Sequence, residues 1–590
     1  MTGISTGTLT KPAPAESSHK ESLPGTMPWL NAYPNDLSWR QDYTAQPVHE
    51  LLEQAVARFP AHVCTYFLGR TMTYAEIGRA VDHAAAGLQK LGVGKGVKVG
   101  LFLPNTPTFV IAYYAVLKAG GTVVNFNPLY SIPELEHQVR DSGASLMVTL
   151  DLKVLFGKVE TLLASGCLER AVVASFASLL PTLKSALFRI ARGQDVANIQ
   201  TSTMRPKIVL QSELMANDGK PAPATIDPAR DLAVLQYTGG TTGTPKGAML
   251  THANVGINVQ QVSHWAGPLG NGTETVMAIL PFFHVFGMTV VMNFGVQRAS
   301  RLVLVPKFEL GEAIKLMTQL KPTILPGVPT LFNAILNHKS AQTADLRSLK
   351  WCFSGGAPLP LETKRRFEAM TGAILIEGYG LSETSPVVTG NPPDGPIKEG
   401  SIGLPLPATY VSIRSLEDPA REMPSGETGE ICLAGPQVMS GYWNKAEETA
   451  DSFTTGTGGR YFRTGDIGHM DAEGFTYISD RLKDMINASG FKVYPRRIEE
   501  ALYEHPAVEE AVVIGIPDAY RGEAPKAFVK LREGRTASAG ELMAFLKPKL
   551  AKTEMPEEIE FRASLPKTAV GKLSKKELKA EELAKRRPVG

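Results

Sequence analysis

The sequence predicts an α/β protein with a large N-terminal domain of two α/β subdomains plus a β subdomain, followed by a small mobile α+β C-terminal domain. Three observations predict it. Short β-branched or apolar runs alternate with helical stretches from about residue 46 to 480. The stretch 412–434 is strand-rich with Gly and Pro turns, and the texture changes again after about Asp480. In chain order, 97–103 reads as a strand, 108–119 as a helix and 121–126 as a strand, which argues largely parallel sheets. Beyond Asp480, 496–503 and 539–546 read as helices and 511–516 and 527–531 as strands, with a basic helix or tail over 573–587. The expected organisation is a flexible tail over 1–45, a large domain over 46–480 and a mobile domain over 481–590, hinged at 480–484.

Composition bounds the function without naming it. A chain of 590 residues is long enough for several cores. Hydrophobic residues at 43% and charged residues at 20% suit a globular protein, not a disordered one. Basic and acidic residues nearly balance, 61 against 58, so no global charge recruits nucleic acid. Cys64, Cys167, Cys352 and Cys432 are far apart with no CxxC pair, which disfavours a disulfide framework or a cysteine zinc site and fits a reducing cytoplasm.

Two segments bear on membranes. Residues 276–296 have about the length of a span, but Pro281, His284, Gly287 and Asn293 interrupt them, so a strand end and a buried helix are expected. In 176–192, Phe176, Leu179, Leu180, Leu183, Leu187 and Ile190 share one helical arc, with Arg189 and Arg192 opposite and Lys184 at the flank. Such a helix can lie in a bilayer interface or pack on its own domain, and Pro181 weakens it in either case. The expected address is cytoplasmic, with peripheral contact on the inner face of the membrane as the open alternative.

Four clusters carry chemistry. Tyr237-Thr-Gly-Gly-Thr-Thr-Gly-Thr-Pro-Lys-Gly247 packs glycines, hydroxyls and one lysine after an apolar run. Glycines admit close backbone approach to an anion, hydroxyls and N–H groups wrap phosphate oxygens, and Lys246 adds charge. It is not a Walker loop, because Pro245 precedes the lysine and no Ser or Thr follows it. Glu377-Gly-Tyr-Gly-Leu-Ser-Glu-Thr384 offers an aromatic face to a planar ligand and hard oxygen groups to Mg2+ or phosphate. Tyr461-Phe-Arg-Thr-Gly-Asp466, with Asp480-Arg-Leu-Lys-Asp484, supplies an acid and an arginine suited to sugar hydroxyls. Leu565-Pro-Lys-Thr-Ala-Val-Gly-Lys572 ends in a lysine preceded by glycine.

In this order the four clusters resemble the adenylate-forming superfamily of acyl- and aryl-CoA ligases, luciferases and peptide-synthetase adenylation domains, from about Tyr74 to Leu578. Pro281-Phe-Phe-His-Val-Phe-Gly287, Gly327-Val-Pro-Thr-Leu-Phe-Asn333, Gly400-Ser-Ile-Gly-Leu-Pro405 and Gly435-Pro-Gln-Val-Met-Ser-Gly-Tyr-Trp443 bring the resemblance closest to bacterial long-chain fatty-acid–CoA ligases. The resemblance implies ATP-dependent joining of a medium- to long-chain fatty acid to coenzyme A through an acyl-adenylate. It also implies roles. Thr238, Gly239, Gly240, Thr241, Thr242, Gly243 and Lys246 would hold phosphates, and Thr242 and Glu383 would hold Mg2+. Gly356, Glu377, Gly378, Tyr379 and Gly380 would frame adenine, Thr384 the α-phosphate, and Asp466 and Arg481 the ribose. Lys572 would act in the first half-reaction and would be a target for a lysine acetyltransferase, and His284 is a further catalytic candidate. Ser489 and Gly490 would meet pantetheine after rotation about Lys483.

Departures sharpen the reading. Asn487 stands where luciferases carry a second lysine, the His284 block lacks the Asp of amino-acid-activating domains, and Thr553-Glu-Met-Pro556 reverses a charge of the family's Tyr-Lys-Val-Pro segment. Ligases that stop at acyl-AMP and serve a carrier protein, and dicarboxylate or aryl acid–CoA ligases, are the alternatives.

Overall fold

The computed structural model describes residues 27–34, 37–238, 245–267, 269–393, 395–456, 459–488, 491–518, 520–568 and 571–585. Four sheets organise them. A seven-stranded sheet built from Lys98–Leu101, Thr122–Asn125, Leu146–Leu150, Arg170–Ala174 and Ile208–Leu210 is parallel until its last hairpin, Leu232–Thr238 against Lys246–Thr251. A nine-stranded sheet has a parallel centre, including Thr275–Ala278, Ile324–Gly327, Trp351–Gly355 and Ile374–Gly380, and antiparallel edges. Tyr410–Arg414, Gly429–Ala434, Phe453–Gly456, Gly459–Met470 and Thr476–Arg481 form an antiparallel β sheet. The small C-terminal domain is built on the fourth sheet, chiefly Val508–Asp518 against Gly522–Leu531.

Helix Pro107–Lys118 shows how the two α/β sheets join. Thr106 Oγ1 accepts the Phe109 N–H and Pro107 fills the first turn, so the start is fixed locally. Almost every residue of the helix is apolar and buried, which places it between layers, not on a surface. Tyr114 donates to Asn293 Oδ1 (2.7 Å) and Asn293 Nδ2 donates to Tyr113 Oη (3.0 Å), linking the helix to the buried turn Gly287–Asn293. One continuous hydrophobic core runs from Trp29 to Phe475, and separate cores begin at Ile486.

The segment 276–296 is the expected strand end followed by buried helix, and among the described residues no helix is long and apolar enough to cross a membrane. Two expectations need correction. The tail foreseen over 1–45 does not extend that far: Trp29 and Trp39 are buried, and Trp39 Nε1 donates to Thr409 O (3.0 Å). Aromatic anchors outweigh the polar composition around them. Second, 176–192 is not one helix. Pro181 separates a short turn, Phe176–Leu179, from helix Thr182–Arg192. The four cysteines are free thiols, and Cys64, Cys352 and Cys432 are buried.

Candidate active site

A cavity of about 440 Å³ opens between the large domain, the β subdomain and the small domain. Thr238, Lys246, His284, Gly356, Gly378, Tyr379, Gly380, Glu383, Arg481 and Lys572 all line it. Residues from all four sequence clusters therefore converge on one space.

The positioning follows from strand pairing. Asp466 and Arg481 are 15 residues apart yet sit opposite each other in the antiparallel pair Gly459–Met470 and Thr476–Arg481. Arg481 Nε lies 2.9 Å from Asp466 Oδ1, and Tyr379 donates its hydroxyl to Asp466 Oδ2 (2.6 Å). The carboxylate thus ties the β subdomain to the end of strand Ile374–Gly380 and keeps lone pairs for further donors. Burial and the Asp466 carboxylate hold the Tyr379 hydroxyl far above its ordinary range, so it is a permanent donor. At Gly380 a Cβ would collide with the Pro386 carbonyl oxygen, so glycine is required there.

Thr238 pairs with Lys246 across a hairpin, so the Gly/Thr-rich loop joins two strands; Gly239, Gly240, Thr241, Thr242 and Gly243 lie outside the described residues. Lys246 Nζ sits 5.0 Å from the Tyr442 ring centroid, and Tyr442 donates to Glu383 Oε1 (2.8 Å). Residues 440–443 pair along strand Lys246–Thr251, with Trp443 N donating to Gly247 O (2.8 Å), which delivers Tyr442 to this place. Among the described residues no group of three His, Cys, Asp or Glu could hold a metal alone. Glu383, a single carboxylate beside a lysine, fits a Mg2+ carried on substrate phosphates instead.

Lys572 comes from the far end of the chain. Its turn is closed by Thr568 N donating to Lys572 O (2.7 Å), and Thr330 Oγ1 of helix Pro329–Asn337 donates to Gly571 O (2.7 Å). The lysine side chain fills the space above Gly356, whose φ is +82°; a Cβ there would overlap Cε and lie 2.6 Å from Nζ. Burial, aided by Arg481 and opposed by Asp466, lowers the Lys572 ammonium to about 8. His284 is lowered to about 3 by burial and by Lys572, and its Nδ1 accepts the Phe286 N–H (3.2 Å). The imidazole is neutral and carries its proton on Nε2. Asn105 fixes this block: Nδ2 donates to Ala278 O (3.0 Å) and Leu280 O (2.9 Å), while Oδ1 accepts the Phe282 N–H (2.8 Å).

Three candidate residues do not line the cavity: Asp466 sits buried behind Tyr379 and Arg481, and Thr384 and Glu377 point elsewhere. Thr384 is buried in its own turn, where its hydroxyl donates to Pro386 O (2.5 Å) and accepts the Leu381 N–H (3.0 Å). Glu377 points into the larger cleft between the domains and accepts the Leu359 N–H (3.1 Å); burial raises its carboxyl to about 7 despite Arg496. Ser489 and Gly490 lie outside the described residues. Sequence reasoning missed Asn105 and Tyr442 as individuals; Tyr442 sits in the quoted Gly435–Trp443 block, whereas no motif flags Asn105.

Comparison with known proteins agrees with this geometry. Residues 52–443 match the AMP-binding enzyme family and residues 497–572 the AMP-binding enzyme C-terminal domain. The long-chain-fatty-acid–CoA ligase of Bacillus subtilis is 45% identical over 564 residues, covering 94% of this chain and 98% of that one. The enzyme of that name from Escherichia coli is 36% identical with the same coverage. ATP-bound MatB from Rhodopseudomonas palustris superposes with a TM-score of 0.76 at 28% identity, over 90% of this chain and 98% of that one. An anthranilate CoA ligase holding anthranoyl-AMP gives 0.78 at 25% identity, over 93% of this chain and all of that one. With the family models matching 52–443 and 497–572 and the cavity drawing Lys246 and Glu383 from the first and Lys572 from the second, the chain is a member of the AMP-binding enzyme family.

Proposed function

We propose that the protein ligates a medium- to long-chain fatty acid to coenzyme A at the cost of ATP. The observation that carries this reading is Lys572 Nζ lying over Gly356 in the same cavity as Lys246, Glu383 and Arg481. In the first half-reaction the fatty carboxylate attacks the α-phosphorus, the bond to the bridging oxygen of the β-phosphate breaks, and pyrophosphate leaves. Two anions must meet, so catalysis is positioning and charge neutralisation. Lys572 faces the charge that builds between carboxylate and α-phosphate, and Lys246 with the loop 239–244 takes the leaving pyrophosphate. Asp466 and Arg481 take the ribose hydroxyls, and Tyr379 braces the adenine face. Glu383 and Thr242 would hold Mg2+, which would supply charge neutralisation on the phosphates. In the second half-reaction the thiol attacks the acyl carbonyl, AMP leaves, and the thiol proton passes to solvent.

Val262, Trp265, Val285, Phe286, Val290 and Val387 give the cavity a largely apolar wall suited to an alkyl chain. The relatives named as long-chain-fatty-acid–CoA ligases, 45% and 36% identical, favour an aliphatic acid and coenzyme A over dicarboxylate, aryl or carrier-protein readings. The domain assignment of 46–480 and 481–590, a hinge at 480–484, pantetheine contact at Ser489 and Gly490, peripheral contact with membrane lipid and acetylation of Lys572 belong to the same reading. Acetylation would remove the ammonium and silence only adenylation. A panel of mono- and dicarboxylic acids from acetate to stearate, scored separately for pyrophosphate release and CoA thioester, tests it. Both products from long monoacids are expected. Pyrophosphate without thioester would give the carrier-protein reading, and a preference for diacids or aryl acids would overturn the fatty-acid assignment.

A further inference from the structure

We propose that Asp141 is a positioning residue for ATP, bracing from behind the hairpin that presents Thr238 and Lys246 to the β- and γ-phosphates. The inference deepens the ligase reading and rests on it for the identity of the ligand. Asp141 lies half-buried in the last turn of helix Ile132–Ser142, which Gly143 ends at a φ of +69°. A carboxylate there opposes the helix dipole, so the helix itself gains nothing from it. Its partners lie in two other elements. Tyr237 donates its hydroxyl to Asp141 Oδ2 (2.5 Å), and Trp443 Nε1 donates to the Asp141 backbone O (3.0 Å).

These two contacts close a circuit round the base of the hairpin. Tyr237 is paired with Gly247 and Thr238 with Lys246. Successive side chains of a strand point to opposite faces, so Thr238 lines the cavity while the buried Tyr237 turns away from it, towards the helix. The Tyr237 ring lies on Gly247, where an added Cβ would come within 3.1 Å of Cζ. Gly247 O accepts the Trp443 N–H (2.8 Å), and the Trp443 indole returns to Asp141. Lys98 Nζ, 4.2 Å from the Trp443 ring centroid, adds a cation that holds the indole in place. Asp141 therefore grips both strands of the hairpin, one through Tyr237 and the other through Trp443. Burial and the Asp141 carboxylate keep the Tyr237 hydroxyl protonated far above its ordinary range, so this donor is permanent. Neither Asp141 nor Tyr237 lines the cavity. Both act through Thr238 and Lys246, and a charge neutralises phosphate well only when it is held where the phosphate sits. Their loss should be felt at the phosphate end of ATP and not at adenosine.

Calorimetric titration of the full chain with ATP plus Mg2+, and with AMP, in the absence of a fatty acid, tests this. Asp141→Leu and Tyr237→Phe should each weaken ATP binding roughly tenfold and leave AMP binding unchanged. Together they should cost no more than either alone, because they remove the same bond. Asp141→Asn keeps an acceptor oxygen and should recover part of the loss. The KM for ATP in pyrophosphate release should rise in step, with thioester formation from supplied acyl-AMP unaltered. Equal weakening of ATP and AMP by Tyr237→Phe, the mildest of these changes, would make the contact merely structural and overturn the inference. Additive losses in the double variant, or an asparagine variant no better than the leucine one, would overturn it too. Wild-type protein that binds both nucleotides yet makes no thioester from any carboxylic acid would leave the brace standing and remove the ligase reading.

Discussion

Lys572 is an ammonium whose proton is held less firmly than in water, because burial and the Arg481 guanidinium both disfavour its charge. The protonated form neutralises the reacting anions, so the sign of its pH effect is fixed. Adenylation measured as kcat/KM by pyrophosphate release should be full at neutral pH and fall as pH rises through about 8, the value of the free site. Thioester formation from supplied acyl-AMP needs a thiolate and should rise over the same range. Parallel pH profiles for the two half-reactions would remove Lys572 from the adenylation step. His284 contributes no limb above neutrality, since it is already uncharged there. The role of Lys572 was legible only through the resemblance; a lysine after a glycine says little by itself, and its meeting with Gly356 is made by the packing of two domains.

Among the described residues, the turn carrying Lys572 is held to the large domain by Thr330 Oγ1 donating to Gly571 O, and within the small domain by the Lys567–Glu510 ion pair (2.6 Å). Thr330→Val keeps the shape of the side chain and deletes the donor, leaving a carbonyl without its partner at a cost of about 1 kcal/mol. Pyrophosphate release should slow by roughly fivefold to tenfold, with thioester formation from acyl-AMP unchanged. Equal slowing of both steps would make the contact merely structural. At this scale the sequence was informative where periodicity or a strong terminator acts locally. Helix Ala539–Leu546 and strand Lys98–Leu101 were visible as patterns, within a residue or two at the ends. Pairings were not: the opposition of Asp466 and Arg481 is a matter of register, and nothing in the separate motifs states it. Trp29 and Trp39 were read as tail because composition averages over anchors that act singly.

Between the domains, contacts are sparse and polar. Besides Thr330 to Gly571, Asn333 Nδ2 donates to Glu509 O (3.2 Å) and Arg532 Nη1 to Asn337 Oδ1 (3.3 Å), around a cleft of about 1760 Å³. Hydrophobic cores stop at Phe475 and resume at Ile486, so the chain between them carries no apolar weld. Rotation there is expected. Fluorescent labels at Lys339→Cys and Arg535→Cys, across the cleft, on a Cys167→Ser background should report different distances with ATP plus acid and with acyl-AMP plus coenzyme A. Identical distances in both states would rule out the hinge at 480–484. The same molecule handles an activated acyl group and a free thiol within one cleft, which invites self-acylation and mixed disulfides. Three of its four thiols are withdrawn from both reactions: burial pushes the Cys64 thiol up to about 12, and the Cys352 and Cys432 thiols higher still, which leaves the half-buried Cys167, itself raised by burial. A protein built this way should age slowly in use, with Cys167 as the one place where self-acylation or a mixed disulfide would begin.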